Sequence, residues 1–286
     1  MCMRLPVKFT YNIAMLFADL TFFFSSKDRR AVYQNLRIIM GQDASAEQIR
    51  KASREVFRNF AKYLVDFFRF TKIDEEVIKK TVTVKGAENI EEAVLRNKGV
   101  IFLSAHIGNW ELAGSVISSL GYPLCAVALK HQNKKINDFF NRQRGSAKVR
   151  SIEIGASLKT CYHVLKQSGF LGLLGDRDFT RTGVPTQFFG RTALLPKGPA
   201  VFSYRLNAAI VPAYLIRNKD DSFTFFIEKP IIPESYSSED EAVDDLMKKS
   251  AASIERYVGL YPSQWFAFRN IWEEYEKKDM RPHTVI

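Results

Sequence analysis

From residue 82 onward, short apolar runs alternate with helix-like segments, and this alternation constrains the chain more than any other feature. Residues 82–85, 100–103, 124–129 and 170–174 read as strands, while 88–96, 110–120, 136–144 and 158–167 read as the helices between and around them. Strands joined by intervening helices are expected to lie parallel. The pattern therefore predicts an α/β fold, a mixed but mainly parallel sheet flanked by helices. Further on, 198–206 reads as a helix and 210–216 with 223–227 as a terminal pair of strands. The acidic segment 239–245 opens another helix, with carboxylates at its positive end. Pro262 is predicted to separate that helix from an aromatic-rich last one.

Three apolar runs end in polar residues. Residues 100–103 lead into Ser104-Ala105-His106-Ile107-Gly108-Asn109-Trp110-Glu111, 171–174 into Gly175-Asp176-Arg177-Asp178, and 124–129 into Lys130-His131. In open α/β sheets ligands bind outside the carboxyl ends of the strands, so these exits predict one shared cleft. His106 falls on the turn, Gly108 lets the turn bend, and Glu111 enters the first turn of the next helix. A neutral imidazole there can take a proton from an alcohol. A carboxylate on its other nitrogen would fix the tautomer and stabilise the imidazolium. A histidine after a strand is also a common structural residue, so the H-x4-E spacing takes its weight from the rest of the chain.

The first 75 residues follow another pattern. Phe9, Ile13, Leu16, Leu20 and Phe24 share one helical face, opposite Lys8, Asn12 and Asp19. Ten uncharged residues, 9–18, separate Lys8 from Asp19. At about 1.5 Å per residue they fall short of the roughly 30 Å hydrocarbon core, which disfavours a span and favours a helix lying in the interface. Packing on the protein's own core is the equally weighted alternative. Ser45 and Gln48 fit a capping box, and the helix it opens carries Ile49, Val56, Phe60, Leu64 and Phe67 as an apolar stripe. Arg50, Arg54, Arg58 and Lys62 recur every four residues on another face, an arrangement that opposes the helix unless something acidic offsets it. Two regions are expected: 1–75, helical and membrane-facing, and 76–286, an α/β catalytic domain.

With 46% hydrophobic and 26% charged residues the 286-residue chain is globular, and its formal net charge of +11 calls for an acidic partner. Its three cysteines, Cys2, Cys125 and Cys161, are too scattered for a disulfide framework or zinc site. With no P-loop or G-x-G-x-x-G after a strand, no cofactor and no metal are expected. The chain has no helix-turn-helix, RRM or zinc-finger signature, so nucleic acid is not an expected partner.

Taken in order, DRRAVYQNLRIIMG (28–41), REVFRNFAKYLVDFFRF (54–70), AHIGNWE (105–111), GDRD (175–178), QFFGRTA (187–193), KGPA (197–200) and PSQWFAFRNIW (262–272) resemble the bacterial lipid A biosynthesis (lauroyl/myristoyl) acyltransferases, within the wider glycolipid and lysophospholipid acyltransferase superfamily. Glycerol-phosphate acyltransferases usually carry an aspartate where Glu111 stands, so Glu111 favours the lipid A branch. Two departures bear on the acceptor: Leu129-Lys130-His131 where Tyr-Arg-Pro is common, and Asp176-Arg177-Asp178 where Asp-Gln-Asp is common. The resemblance implies direct transfer of a fatty acyl group from an acyl thioester, acyl carrier protein or acyl-CoA, to a hydroxyl of a glycolipid at the cytoplasmic face of the inner membrane. The amphipathic first helix and the positive charge, rather than the resemblance, give the expectation of a peripheral enzyme on an anionic membrane surface. His106 would be the base and Glu111 its orienting partner. Arg144, or its neighbour Arg142, matches the family's arginine near the site, and Asp176 and Asp178 match its second acidic motif. Lys130, Arg191 and Lys197 are candidates for substrate phosphate, although as solvated cations they need no functional explanation. An ion pair of Asp176 or Asp178 with Arg144, Arg177 or Arg181 is the structural alternative for those aspartates. Another glycolipid, aminolipid or lysophospholipid acceptor, or an inactive basic membrane-binding protein, are the rival readings.

Overall fold

The computed structural model describes residues 5–129, 132–153, 157–179, 182–273 and 275. Three helices open the chain: α1 (Val7–Phe24), α2 (Ser26–Ile39) and α3 (Ala46–Phe68). After α4 (Glu75–Thr81) come β1 (Val82–Lys85), α5 (Glu88–Val94), β2 (Val100–Ser104), α6 (Trp110–Ser119), β3 (Leu124–Ala128), α7 (Lys134–Ser146), β4 (Arg150–Glu153), α8 (Ser157–Lys166) and β5 (Phe170–Leu174). The chain continues through β6 (Val184–Phe188), β7 (Arg191–Leu195), α9 (Gly198–Leu206), β8 (Ala209–Arg217), β9 (Phe223–Ile227) and α10 (Glu239–Leu260).

Seven strands form one sheet in the order β1-β9-β8-β2-β5-β3-β4, parallel throughout except between β8 and β9. The fold is thus the mixed, mainly parallel sheet flanked by helices that the alternation predicts. Both faces are covered. On β2, Val100 and Phe102 pack with Ile90 and Ala93 of α5 and Leu112 and Val116 of α6. Ile101 and Leu103 pack with Leu165 of α8, Phe202 of α9 and Ile254 of α10. A strand covered on both faces has no polar side to alternate with, which is why these segments read as continuous apolar runs. The predicted pair at 210–216 and 223–227 is the antiparallel β8/β9, and every residue of β8 is buried.

Strand β4 and the antiparallel hairpin β6/β7 are not among the elements expected from the sequence. The hairpin's turn residues, Phe189 and Gly190, have φ of 51° and 69°. That left-handed conformation is usual for Asn-Gly, not Phe-Gly, and here the Phe189 N–H donates to Glu255 Oε1 at 2.6 Å. Among the described residues, 265–272 do not form the expected aromatic-rich helix; Glu273 and Tyr275 are helical, and the residues beyond lie outside the described ones. After Gln264 the chain runs irregularly, because its backbone bonds to other elements: the Phe266 N–H donates to the His106 carbonyl at 2.9 Å, and Asn35 Nδ2 donates to the carbonyls of Ala267 and Arg269 at 3.0 and 2.8 Å. Its aromatics are shared out. Trp265 and Trp272 enter the core beneath α8–α10, while Phe266 joins Val32, Leu36, Val56 and Phe57 in the α1–α3 cluster.

Helix α3 begins with the predicted capping box, Gln48 N–H to Ser45 Oγ at 3.2 Å and Ser45 N–H to Gln48 Oε1 at 2.7 Å. Its basic row finds acidic partners: Arg54 and Arg58 grip Asp19 of α1 at 2.7 and 2.8 Å, and Lys62 binds Asp221 at 2.7 Å. Helix α1 buries Thr10, Tyr11 and Ala18 against this layer and leaves Phe9, Leu16, Phe17, Leu20, Phe23 and Phe24 exposed. The apolar face therefore points away from the protein's own core. By length and composition α1 is also sufficient to cross a membrane.

Candidate active site

Strand β2 ends at Ser104, and the turn to α6 is held from two sides. The Gly108 N–H donates to the Gln264 carbonyl and the Asn109 N–H to the Leu215 carbonyl, both at 2.9 Å. Gly108 has φ of +59°, and a Cβ there would lie 2.0 Å from the Leu215 oxygen, so only glycine lets the turn pass this close to β8. Asn109 caps α6, its Oδ1 accepting from the Leu112 N–H at 3.0 Å.

On this turn, His106 Nδ1 lies 2.8 Å from Asp176 Oδ1. Asp176 is fully buried just past β5, and its other oxygen accepts from Trp265 Nε1 at 2.9 Å and Arg177 Nε at 3.4 Å. Burial alone would raise the Asp176 pKa, but the charges of His106 and Arg177 and the hydrogen bonds from His106 and Trp265 outweigh it and hold the carboxyl well below the usual range. For His106, burial disfavours the imidazolium more than Asp176 favours it, and the pKa falls below 6.5. At neutral pH this is a neutral imidazole donating from Nδ1 to a carboxylate, with Nε2 able to accept a proton.

The carboxylate on His106 Nδ1 is thus Asp176, where Glu111 was expected. Glu111 forms a two-pronged pair with Arg144 of α7: Nη2 to Oε1 at 2.6 Å and Nε to Oε2 at 2.9 Å. The reason is directional. Glu111 lies one residue into α6 and faces α7, whereas Asp176 reaches His106 because β5 is the hydrogen-bonded neighbour of β2, with Ser104 opposite Leu174. Of the ion pairs considered for Asp176, the one found is with Arg177.

Around these groups lies a cavity of about 430 Å³, lined among others by Ser104, His106, Trp110, Glu111, Arg144, Arg177, Asp178 and Lys197. It reaches between α6 and the sheet, where Ala113, Gly114, Ile117, Leu124, Ala126 and Gly172 give it apolar walls. Two of the three expected strand exits, those of β2 and β5, converge here; the third, Lys130-His131, lies outside the described residues, although β3 is the next strand in the sheet and Leu129 at its end lines the cavity. Of the nominated residues, His106, Glu111, Arg144, Asp178 and Lys197 line the cavity and Asp176 sits beneath His106. Arg142 and Arg191 are exposed and do not line it. Lys130 and Arg181 fall outside the described residues, as does Cys2.

Two participants went unnamed in the sequence reading. Trp265 holds Asp176 from a segment 89 residues away, where only the resemblance of its motif drew attention to it. Ser104 carries a buried hydroxyl with no hydrogen-bond partner in the cavity wall. The amides of Ile107, Gly108 and Asn109, the obvious donors on the turn, are already committed to backbone carbonyls. Among the described residues, no group of three or more His, Cys, Asp and Glu side chains converges to hold a metal.

A histidine–carboxylate pair at the exits of a parallel sheet, in the wall of a largely apolar cavity, is the candidate active site of this fold. Residues 1–274 match the model of the family described as bacterial lipid A biosynthesis acyltransferase. The chain belongs to that family and is an acyltransferase. It is 23% identical over 226 residues to a phosphatidylinositol mannoside acyltransferase of Mycolicibacterium smegmatis, covering 77% of this chain and 71% of that one. To the protein of the same description in Mycobacterium tuberculosis (strain H37Rv) it is 24% identical, covering 63% of this chain and 59% of the relative, so it spans less than two thirds of that relative's length. A lipid A biosynthesis palmitoleoyltransferase of Escherichia coli is 26% identical, covering 81% and 74%. Among solved structures, a 1-acyl-sn-glycerophosphate acyltransferase of Thermotoga maritima aligns with a TM-score of 0.43 at 15% identity, over 89% of this chain and 99% of that chain.

Proposed function

We propose that this protein moves a fatty acyl group from an acyl thioester, on acyl carrier protein or coenzyme A, to a hydroxyl of a glycolipid, with His106 as general base and no acyl-enzyme intermediate. The observation that carries the reading is the Asp176-bound His106 in the wall of a largely apolar cavity. His106 Nε2 takes the proton of the acceptor hydroxyl while Asp176 stabilises the resulting imidazolium. The acceptor oxygen attacks the thioester carbonyl, the tetrahedral intermediate collapses, and the thiolate leaves, taking its proton from His106. One ester forms and one thiol is released. The buried, unpartnered hydroxyl of Ser104 is the group we assign to the thioester oxygen as charge builds on it. The Glu111–Arg144 pair keeps the α6–α7 wall in register, and we assign Lys197 and Asp178, which also line the cavity, to the acceptor.

Relatives named for phosphatidylinositol mannosides and for lipid A support a glycolipid acceptor. The outward phenylalanines of α1 and the positive charge of the chain support an enzyme lying on an anionic membrane surface, with its α/β part in the cytoplasm. The test compares lipid extracts by mass spectrometry from cells with and without the protein, alongside purified protein given acyl carrier protein and coenzyme A thioesters with a panel of lipid acceptors. A glycolipid heavier by one acyl group, made with loss of thioester, is the expected result. Acylation confined to phospholipids without sugar would replace the acceptor, and no transfer by folded protein to any acceptor would sink the reading.

A further inference from the structure

Beneath the active-site turn lies a polar group that the chemistry above does not use. Asp66, near the end of α3, is buried, and its carboxylate accepts from the Tyr11 hydroxyl of α1, from Arg217 at the end of β8, and from Asn109 Nδ2 at 2.9 Å. Arg217 Nη1 donates in turn to the Tyr11 hydroxyl at 3.2 Å, so the three side chains close a ring. The Arg217 backbone is clamped by Gln264, Arg217 N–H to Oε1 and Nε2–H to the Arg217 carbonyl, both at 2.9 Å. The carbonyl of that same Gln264 accepts from the Gly108 N–H.

Every hydrogen-bonding atom of the Asn109 side chain is thereby assigned. Its oxygen caps α6 and its nitrogen is held by Asp66, so Asp66 determines which way the cap faces. The cap stands three residues after His106 and two before Glu111. A buried ion pair is a poor stabiliser, since apolar residues of like volume do as well, but it fixes geometry. We infer that Asp66 is a positioning residue for the catalytic turn, and that through Tyr11 it makes that turn sensitive to how α1 is seated. This rests on the membrane-surface reading of α1. A helix pressed into a bilayer by its outward face would hold Tyr11 against Asp66, and a helix lifted from the layer would release Asn109.

The test is hydrogen exchange on the full-length protein, with and without vesicles of phosphatidylethanolamine and phosphatidylglycerol, followed in peptides covering α1 and residues 104–112. Vesicles should slow exchange in both segments of the natural protein. In Tyr11→Phe, protection of α1 should persist while 104–112 exchanges about tenfold faster than in the natural protein. Asp66→Asn should show the same faster exchange even without vesicles, and Tyr11→Phe keeps the inference testable if that variant does not fold. In turnover assays Tyr11→Phe should lower kcat about tenfold with KM within a factor of two, a split that general destabilisation does not produce. Protection of α1 with no change at 104–112 in either variant overturns the inference and leaves the membrane reading intact. No protection of α1 in the natural protein overturns both.

Discussion

At the exit edge of the sheet, His106, Asp176, Glu111 and Arg144 sit together inside largely apolar walls, each charge matched by a partner the fold itself brings up. In α1 the arrangement is reversed: Tyr11 and Asp19 turn inward to Asp66 and the arginines of α3, and the phenylalanines face out. Both regions neutralise their charge internally. They differ in what is left over. The sheet edge leaves an internal space and an imidazole nitrogen, a site for a reacting molecule. Helix α1 leaves apolar surface that no described residue covers, at a cost of roughly 25 cal/mol per Å² kept in water, and on the proposed function that surface meets the membrane. Chemistry should therefore fail without loss of membrane binding when the first region is altered, and the converse when the second is.

The largest effect belongs to the sheet edge. His106→Ala and Asp176→Asn should each lower turnover by about 10²- to 10⁴-fold, and the double variant should be little worse than His106→Ala alone, because the two act as one unit. Glu111→Gln should also reduce the rate, but its loss should add to that of Asp176→Asn, since Glu111 works through Arg144. Steady-state kinetics of the three single variants and their three pairwise doubles decides it. Additive losses for His106 and Asp176, or a non-additive pair of His106 with Glu111, would restore the role predicted from the H-x4-E spacing.

That contrast also marks where the sequence was readable. Six of the nine described strands, most of the helices and the position of His106 follow from local apolar runs and from Gly108; β4, β6 and β7 do not. The partner of His106 does not, because it comes from a strand 70 residues downstream whose adjacency to β2 no local pattern encodes. Glu111 drew attention by being close in sequence, yet the first turn of α6 points it to α7. The segment after Pro262 misled for a related reason. Its aromatics suggested one more helix, but they are divided between two cores and its backbone bonds go to His106 and Asn35.

A smaller effect should appear with pH. Since the reaction needs neutral His106 and burial lowers its pKa below 6.5, activity should be full above that value and fall as pH drops through the lowered one. Stability follows the same direction. An unfolded His106 takes up its proton at 6.5 and the folded one only lower, so stability declines as pH falls below 6.5. In Asp176→Asn the charge favouring the imidazolium is gone, and the acid limb of kcat/KM should move to still lower pH. A limb that moves upward in that variant would contradict the pairing.

Changes in α1 should touch binding instead. Leu16, 62% exposed on the outer face, contributes nothing to the protein's own core, so Leu16→Glu should leave thermal unfolding in place. It should weaken sedimentation with anionic vesicles by about tenfold, a loss of roughly 1.4 kcal/mol. Binding should also weaken with salt, since basic residues near an anionic surface contribute about 1 kcal/mol each. Protein that resists both high-salt and alkaline extraction, with its N-terminus reachable only from the far side, would make α1 a span.

The smallest expected effect tests whether the cavity holds a second nucleophile. Cys161 lies in its wall and Cys125 is half-buried on β3, close enough to raise the Cys161 thiol further. Burial, with that contribution from Cys125, pushes the Cys161 pKa up to about 11, so little of it is thiolate at neutral pH. A thiol kept protonated is a poor acyl acceptor, and direct transfer has no use for it. Replacing Cys125 and Cys161 together with alanine should therefore leave the rate within about threefold of normal, and donor alone should leave no acyl group on the protein by mass spectrometry. A stoichiometric thioester trapped on either cysteine would make the reaction ping-pong and move the first chemical step from His106 into the cavity wall.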